Sequence, residues 1–158
     1  MVKKLILIWL LKIDISKKYQ MTFYLSYKYT GVPREELAII VEPLVEYLRS
    51  IDIDVFCNLE REEFYIKEKW SVEQIMQDCF DALERCCYHI TYVAPSGKTG
   101  EGMLIELGYA IKMGLPTLML VPCHYDGMSA RVVVDNVIVY KNYLDLFSQL
   151  QKFFSENK

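Results

Sequence analysis

The sequence lacks the features that would assign it to a membrane, to a nucleic acid or to a metal. An apolar run near the N-terminus, Leu5 to Leu11, is too short to span a bilayer. Lysine and arginine number 18 against 21 aspartates and glutamates, so the net charge of −3 provides no basic surface for a nucleic acid polymer. We therefore expect neither a membrane nor a nucleic acid polymer as a partner. A small anionic ligand is compatible with this composition, because a few backbone N–H groups are enough to bind one.

Disulfide and zinc frameworks are missing as well. The five cysteines are Cys57, Cys79, Cys86, Cys87 and Cys123. Their number is odd, two are adjacent in the chain, and no two pairs have the spacing of a zinc site. The pattern predicts free structural thiols, no bound metal, and a reducing compartment, which we take to be the cytoplasm.

The chain is long enough for one domain with a full hydrophobic core. We expect this domain to cover residues 21–158. Residues 1–20 are interpreted as an N-terminal extension, because lysines flank the apolar run and no small-residue cleavage site of a signal peptide follows it. A chain that begins at Met21 is predicted to fold and to keep its activity.

Strand and helix patterns alternate along the domain. Short β-rich runs predict strands, and amphipathic runs that follow a proline or a capping residue predict helices. Ser71 with Gln74 is the pattern of a capping box at the start of one helix, and Gly114 followed by Pro116 predicts the end of another. Pro43 is expected to kink or end the first helix. The predicted strands are residues 22–27, 52–57, 88–94, 116–121 and 132–140, the predicted helices are 34–51, 71–86, 101–113 and 142–155, and 58–70 is a predicted long loop with room for a helical turn. This order indicates an α/β fold: a flavodoxin/Rossmann-like three-layer sandwich with a five-stranded, mainly parallel sheet.

The stretch Gly100 to Ala110, Gly-Glu-Gly-Met-Leu-Ile-Glu-Leu-Gly-Tyr-Ala, is the most informative in the chain. It follows a predicted strand, at the edge of the sheet where ligands bind in this class of fold. Gly100 and Gly102 let the backbone approach a ligand closely. Glu106 is either an ordinary helix glutamate that faces water or a carboxylate that points into a pocket. In the second case, the nearby helix N-terminus is expected to keep it ionised.

This stretch resembles the signature of the nucleoside 2-deoxyribosyltransferase family, which includes deoxynucleoside 5′-monophosphate N-glycosidases. In that family a glycine-rich turn leads into a Glu-Leu-Gly-Tyr-Ala or Glu-Leu-Gly-Arg-Ala helix. The resemblance implies that Glu106 is the nucleophile that attacks C1′ of the sugar. It covers roughly residues 21 to 150, and it is specific in the glycine-rich turn and helix and loose elsewhere.

The resemblance also implies two further catalytic positions. Tyr24 matches a first-strand tyrosine that hydrogen-bonds the glutamate or the reacting sugar. The family's second acid, which handles the proton on the base, aligns without a gap to Cys79. Asp78 lies one residue away, so either Asp78 reaches the pocket or this acid is missing; we take Asp78 as the candidate.

Substrate-binding positions follow the family less closely. Gly100 stands where the N-glycosidases place a phosphate-binding serine, so Thr99 or the N–H groups of the loop, including Gly102, would have to replace it. Ser129 resembles a serine that the neighbouring subunit supplies to the phosphate. Tyr27 is a candidate wall that stacks on the base.

The sequence thus predicts an enzyme that cleaves the N-glycosidic bond of 2′-deoxynucleosides or their 5′-monophosphates, or transfers the deoxyribosyl group, through a covalent glycosyl-enzyme. No cofactor is required, and the resemblance implies a homodimer or larger homo-oligomer. The alternative is a TIR-like module that cleaves NAD or senses nucleotides without catalysis. A flavodoxin-like flavin carrier is a weaker third hypothesis.

Overall fold

The computed structural model describes residues 21–156, and the predicted extension over residues 1–20 lies outside the described residues. Five strands form one sheet: β1 (Thr22–Tyr27), β2 (Asp54–Phe56), β3 (Tyr88–Tyr92), β4 (Thr117–Pro122) and β5 (Asn136–Tyr140). Their order is β2-β1-β3-β4-β5, and every pair is parallel. This is the flavodoxin-like strand order. The predicted fold is therefore confirmed, and the sheet is wholly rather than mainly parallel.

Six α-helices connect and cover the strands. They are α1 (Arg34–Ser50), α2 (Glu62–Lys67), α3 (Val72–Arg85), α4 (Glu101–Met113), α5 (Met128–Val133) and α6 (Tyr143–Glu156). Helices α1 and α6 pack on one face of the sheet, and α3 and α4 pack on the other. Within residues 21–156, no helix has the length and apolarity needed to cross a membrane.

Local sequence signals place several helix ends correctly. Ser71 and Gln74 form the predicted capping box at the start of α3, in which each side chain bonds the other residue's backbone N–H. Gly114 adopts a left-handed conformation, with φ of 74°, at the end of α4. Glycine takes this conformation without steric cost, so the helix ends where the sequence predicts.

The sequence predicted that Pro43 would kink α1 or end it, and the structure shows that Pro43 does not end the helix. The helix continues through it from Arg34 to Ser50. Proline deprives the carbonyl of Ile39, one turn earlier, of its intrahelical bond. Ile39 lies on the outer side of the helix and is 69% exposed, where water can satisfy that carbonyl.

Two segments differ from the prediction because tertiary contacts shape them. Residues 58–70, predicted as a loop, contain a 3₁₀ turn (Asn58–Arg61) and helix α2; Glu60 of this segment pairs with Arg49 of α1. The predicted strand 132–140 is split into α5 and β5. Asp135 accepts hydrogen bonds from the backbone and hydroxyl of Thr117, which fixes the start of β5 beside the start of β4.

Candidate active site

Glu106 lies on the inner face of α4. Positions three and four apart share one face of a helix, and the buried residues of α4 are Met103, Glu106, Leu107 and Ala110. This face contacts β1 and β3. Only 4% of Glu106 is exposed, so its side chain lies between the helix and the sheet rather than in water.

One oxygen of the Glu106 carboxylate is bonded by strand β1. The hydroxyl of Ser26, which is almost fully buried, donates a short hydrogen bond to Glu106 Oε2. The other acceptor near this hydroxyl is the backbone carbonyl of Met103, 3.4 Å from Ser26 Oγ. Residues two apart in a strand face the same side, so Ser26 and Tyr24 both lie beneath α4.

Tyr24 is held by aromatic stacking. Its ring lies between Phe56, at a centroid distance of 5.2 Å, and His89, at 5.7 Å. All three are in register on neighbouring strands β2, β1 and β3. The buried Tyr24 hydroxyl makes no hydrogen bond of normal geometry to any described residue. Burial, and then the nearby Glu106 and Cys79, raise its pKa. A buried hydroxyl without a bonded partner is a candidate for contact with a ligand.

Burial governs the ionisation of Glu106. Loss of solvation raises the pKa of its carboxyl, and hydrogen bonding to Ser26, Tyr24 and Cys79 opposes this only in part. That the helix N-terminus keeps the carboxylate ionised stays a prediction, and the position of Glu106 in α4 makes this support weak. Glu106 is the sixth residue of α4, and the field of a helix end falls off within its first turn.

Cys79 of α3 lies close to Glu106 and Tyr24. It is fully buried, and its sulfur is 3.4 Å from both the Nδ2 and the Oδ1 of Asn58. Burial, and then the neighbouring Glu106, raise the pKa of the thiol to about 11, so it is protonated at neutral pH. The position that aligns with the family's second acid is therefore occupied by a neutral, weak hydrogen-bond donor.

Asp78 points elsewhere. Its two oxygens accept hydrogen bonds from Arg61, at 2.6 and 3.1 Å, and Oδ2 also accepts from the hydroxyl of Tyr65 at 2.6 Å. No described contact joins Asp78 to Glu106. The structure thus brings Tyr24 and Cys79 to Glu106 and leaves Asp78 in a separate ion pair with the 58–70 segment. A catalytic role for Asp78 stays a prediction.

Tyr27 lies on the opposite face of the sheet from Glu106. Its ring belongs to the core beneath α1 and α6. Its hydroxyl accepts a 2.7 Å hydrogen bond from the backbone N–H of Leu59. This bond gives Tyr27 a structural task, which is to anchor the 3₁₀ turn to β1; its contact with a base stays a prediction.

The two glycines line the approach to α4. Gly100 is the N-cap of the helix, and a side chain there would begin 3.3 Å from Lys28 Cγ at the end of β1. Gly102, in the first turn, faces Met76 of α3. Ser129 lies on the surface in α5, where a second copy of the chain can reach it. The binding roles of all three are untested predictions.

The residue that sequence analysis missed is Ser26. No motif marks it, but the alternation of a strand does: Tyr24 and Ser26 must face one side, and Tyr27 the other. The same rule applied to β1 would have placed Tyr27 away from Glu106. Cys79 could likewise have been preferred to Asp78, because it belongs to the apolar stripe of α3.

These observations define a class: a three-layer α/β protein with a parallel sheet and one buried carboxylate on the helix after β3. Among solved structures, it resembles that of the CMP N-glycosidase BcmB from Clostridium botulinum, with a TM-score of 0.62 and 19% sequence identity. The match covers 84% of this chain and 98% of that chain. At this identity, the likeness establishes the fold. No family model matches the sequence, and no curated protein does.

Proposed function

We propose that this protein is an enzyme that cleaves the N-glycosidic bond of nucleotides, with Glu106 as the nucleophile. The burial of the Glu106 carboxylate beside the buried Tyr24 hydroxyl is the observation that carries this proposal. Among the described residues, Glu106 forms no ion pair. A buried carboxylate without a cation is costly for the fold, and such groups cluster at functional sites. The fold shared with a protein described as a CMP N-glycosidase supports this choice of reaction.

The chemistry requires charge to be stabilised at the anomeric carbon. The bond between C1′ and the base nitrogen breaks, and its electron pair leaves with the base. A carboxylate oxygen of Glu106 forms a bond to C1′, which gives a covalent glycosyl-enzyme. Water then hydrolyses this intermediate, or a second base takes the sugar. Tyr24, fixed between two rings, would donate its hydroxyl to the carboxylate or to the sugar.

Proton delivery to the departing base involves α3 in this proposal. Asp78 remains the candidate acid from the sequence, and it would have to leave Arg61 to reach the substrate. The structure adds Cys79, whose protonated thiol lies beside the carboxylate. General acid catalysis contributes about 10²- to 10⁴-fold. Asp78→Asn and Cys79→Ser therefore identify the acid, since only its loss should lower base release by such a factor.

We propose 2′-deoxynucleosides and their 5′-monophosphates as substrates, and the neighbour described as acting on CMP adds ribonucleotides to the test. The loop at Gly100 and Gly102 offers backbone N–H groups to a phosphate. Lys28, whose side chain runs beside Gly100, brings a positive charge to the same edge. Tyr27 and Ser129 complete the proposed binding residues, Ser129 from a second subunit.

Exposed apolar residues support a homodimer or larger homo-oligomer. Leu104 and Ile105 on α4, and Met128 and Val132 on α5, are between 41% and 72% exposed. A side chain at Gly108 would meet nothing within 4 Å, so this part of α4 is open to close approach. Ile105→Arg should lower the mass measured by light scattering without a loss of helicity. If Ile105→Arg is an oligomer with the same mass as the wild type, α4 does not belong to the proposed interface.

The direct experiment is incubation of the protein with CMP, dCMP, other nucleoside monophosphates and the free nucleosides. Released base is separated by chromatography. Glu106→Gln should reduce release at least about 1000-fold, as loss of a nucleophile does. Glu46→Gln, the same change on the outer face of α1, is the matched control. Equal release by wild type and Glu106→Gln would remove Glu106 from the mechanism.

The second candidate is a non-catalytic nucleotide sensor, or a TIR-like module that cleaves NAD. The presence of Cys79 where the family has a second carboxylate favours it, because a site with one carboxylate can bind without turnover. Calorimetry with CMP, dCMP and NAD separates the cases. Tight binding with no base release would support the sensor, and nicotinamide release would support NAD cleavage.

A further inference from the structure

Ser26 is the strongest contact of the Glu106 carboxylate. Within residues 21–156, it is the one residue with a defined side-chain hydrogen bond to that carboxylate. Tyr24 and Cys79 approach the carboxylate closely enough to affect it, but with poorer geometry. The Ser26 hydroxyl has one proton, and its other neighbour, the carbonyl of Met103, is at the long distance of 3.4 Å. The proton therefore belongs to the bond with Glu106 Oε2.

Among residues 21–156, the surroundings of Glu106 supply no positive charge that could replace this bond. From β1 it faces Tyr24, and from α3 it faces Cys79; burial raises the pKa of both groups, which keeps them neutral. From β3 comes His89, stacked on Tyr24. Burial lowers the pKa of His89 to about 3, so this ring is also neutral. The hydroxyl of Ser26, a neutral donor, is thus the main support for a carboxylate buried at this place.

We propose that Ser26 is a positioning residue for the nucleophile: its hydroxyl fixes Oε2, favours the ionised carboxylate, and leaves Oε1 free to reach the anomeric carbon. This inference rests on the proposed function, because it takes Glu106 as the attacking group. A hydrogen bond to the charged form of a buried acid stabilises that form over the neutral one. It also fixes the rotamer, so that one defined oxygen is presented to the substrate.

The test uses three variants and a measurement that needs no substrate. The protein carries ¹³C at glutamate carboxyl carbons, and the Glu106 signal is assigned by its absence in Glu106→Gln. Its chemical shift is followed against pH in wild type, Ser26→Ala and Ser26→Thr. We expect the Glu106 titration to move to higher pH in Ser26→Ala and to return towards wild type in Ser26→Thr, which keeps the hydroxyl.

Activity provides the second readout. The acid limb of the pH profile of kcat/KM should move to higher pH in Ser26→Ala. At pH values below that limb, base release should fall about 10- to 100-fold relative to wild type, as expected for loss of a hydrogen bond to a charged group. A merely structural role would lower the melting temperature without moving this limb. Ser26→Cys, which keeps the size with a weaker donor, serves where the alanine variant does not fold, and its Glu106 titration should lie at higher pH than that of wild type.

An unchanged Glu106 titration in the folded Ser26→Ala variant would overturn the inference, and so would a shift that Ser26→Thr fails to reverse. These outcomes are distinct from failure of the proposed function. A wild-type protein that releases no base from any nucleotide fails the function, while the effect of Ser26 on the Glu106 titration can still be measured. An active wild type with an insensitive Glu106 titration refutes the role of Ser26 alone.

Discussion

Glu106 should reduce the stability of the protein at neutral pH, so that Glu106→Gln is more stable than wild type. The side chain is 4% exposed and has no ion pair among the described residues, so its charge loses solvation and hydrogen bonds compensate this loss only in part. Glutamine has nearly the same shape, and its carbonyl can accept the hydrogen bond from Ser26. Its new NH₂ group can donate to the Tyr24 hydroxyl, which makes no hydrogen bond of normal geometry to any described residue. Fold and packing are therefore retained while the buried charge is removed.

The expected gain is about 0.5–2 kcal/mol, the range typical of changes that relieve a functional site. For a domain of this size, this corresponds to about 1 to 8 °C in melting temperature. The sign of the pH dependence follows from the raised pKa of Glu106 in the folded state. The wild type has its full stability below the unfolded carboxyl pKa, near 4.5, and loses part of it as the pH rises through the folded value.

Differential scanning calorimetry of wild type and Glu106→Gln at intervals from pH 4.5 to 8 measures this difference. The two melting temperatures should converge at the acid end and separate as the pH rises. Glu46→Gln, which removes an exposed carboxylate, should differ little from wild type at every pH. A Glu106→Gln variant that is less stable at pH 8, or a difference that does not change with pH, would show that burial does not control this carboxylate.

Three further outcomes are expected. His89→Phe keeps the stack on Tyr24 but removes a buried imidazole whose pKa is lowered to about 3. As the pH falls below about 6.5, the free energy of unfolding of the wild type, measured by urea titration, should decrease by about 1.4 kcal/mol per pH unit relative to that of the variant. The same pH dependence in both proteins would contradict this. Asp78→Asn breaks the partly exposed ion pair with Arg61 and should cost about 1–2 kcal/mol of unfolding free energy. An unchanged unfolding free energy would show that this ion pair does not stabilise the protein. A chain that begins at Met21 should keep its melting temperature and base release, and insolubility would place residues 1–20 in the core.

Fold features set by neighbouring residues could be predicted from the sequence. The capping box at Ser71 and Gln74 and the left-handed Gly114 depend only on a few adjacent residues, and both appear as expected. The 58–70 segment and the start of β5 depend on partners far along the chain, such as the Arg49–Glu60 pair and the Asp135–Thr117 bonds. No local pattern reveals those partners, which explains why a loop and a long strand were predicted there.

The candidate site was predictable to the extent that spacing determines orientation. The motif from Gly100 to Ala110 singled out Glu106, but its spacing left burial and exposure both open, and the structure shows that it is buried. Asp78 was chosen for its chemistry, although neighbouring positions on a helix point in different directions. Only the structure shows that Cys79 faces the carboxylate and that Arg61 binds the aspartate. Ionisation was the hardest property to predict, because it depends on the depth of burial rather than on residue type.

The two faces of the sheet differ in how much they contribute to the stability of the fold. Beneath α1 and α6, Leu25, Ile90 and Leu118 belong to an extended apolar core. Their strand neighbours on the other face are Ser26, Thr91 and Thr117, which are buried and polar. Because burying polar groups gains little free energy, the α1–α6 face must supply most of the stability. The α3–α4 face is then free to hold a costly carboxylate, so substitutions beneath α1 and α6 should affect folding and leave the chemistry of Glu106 unchanged.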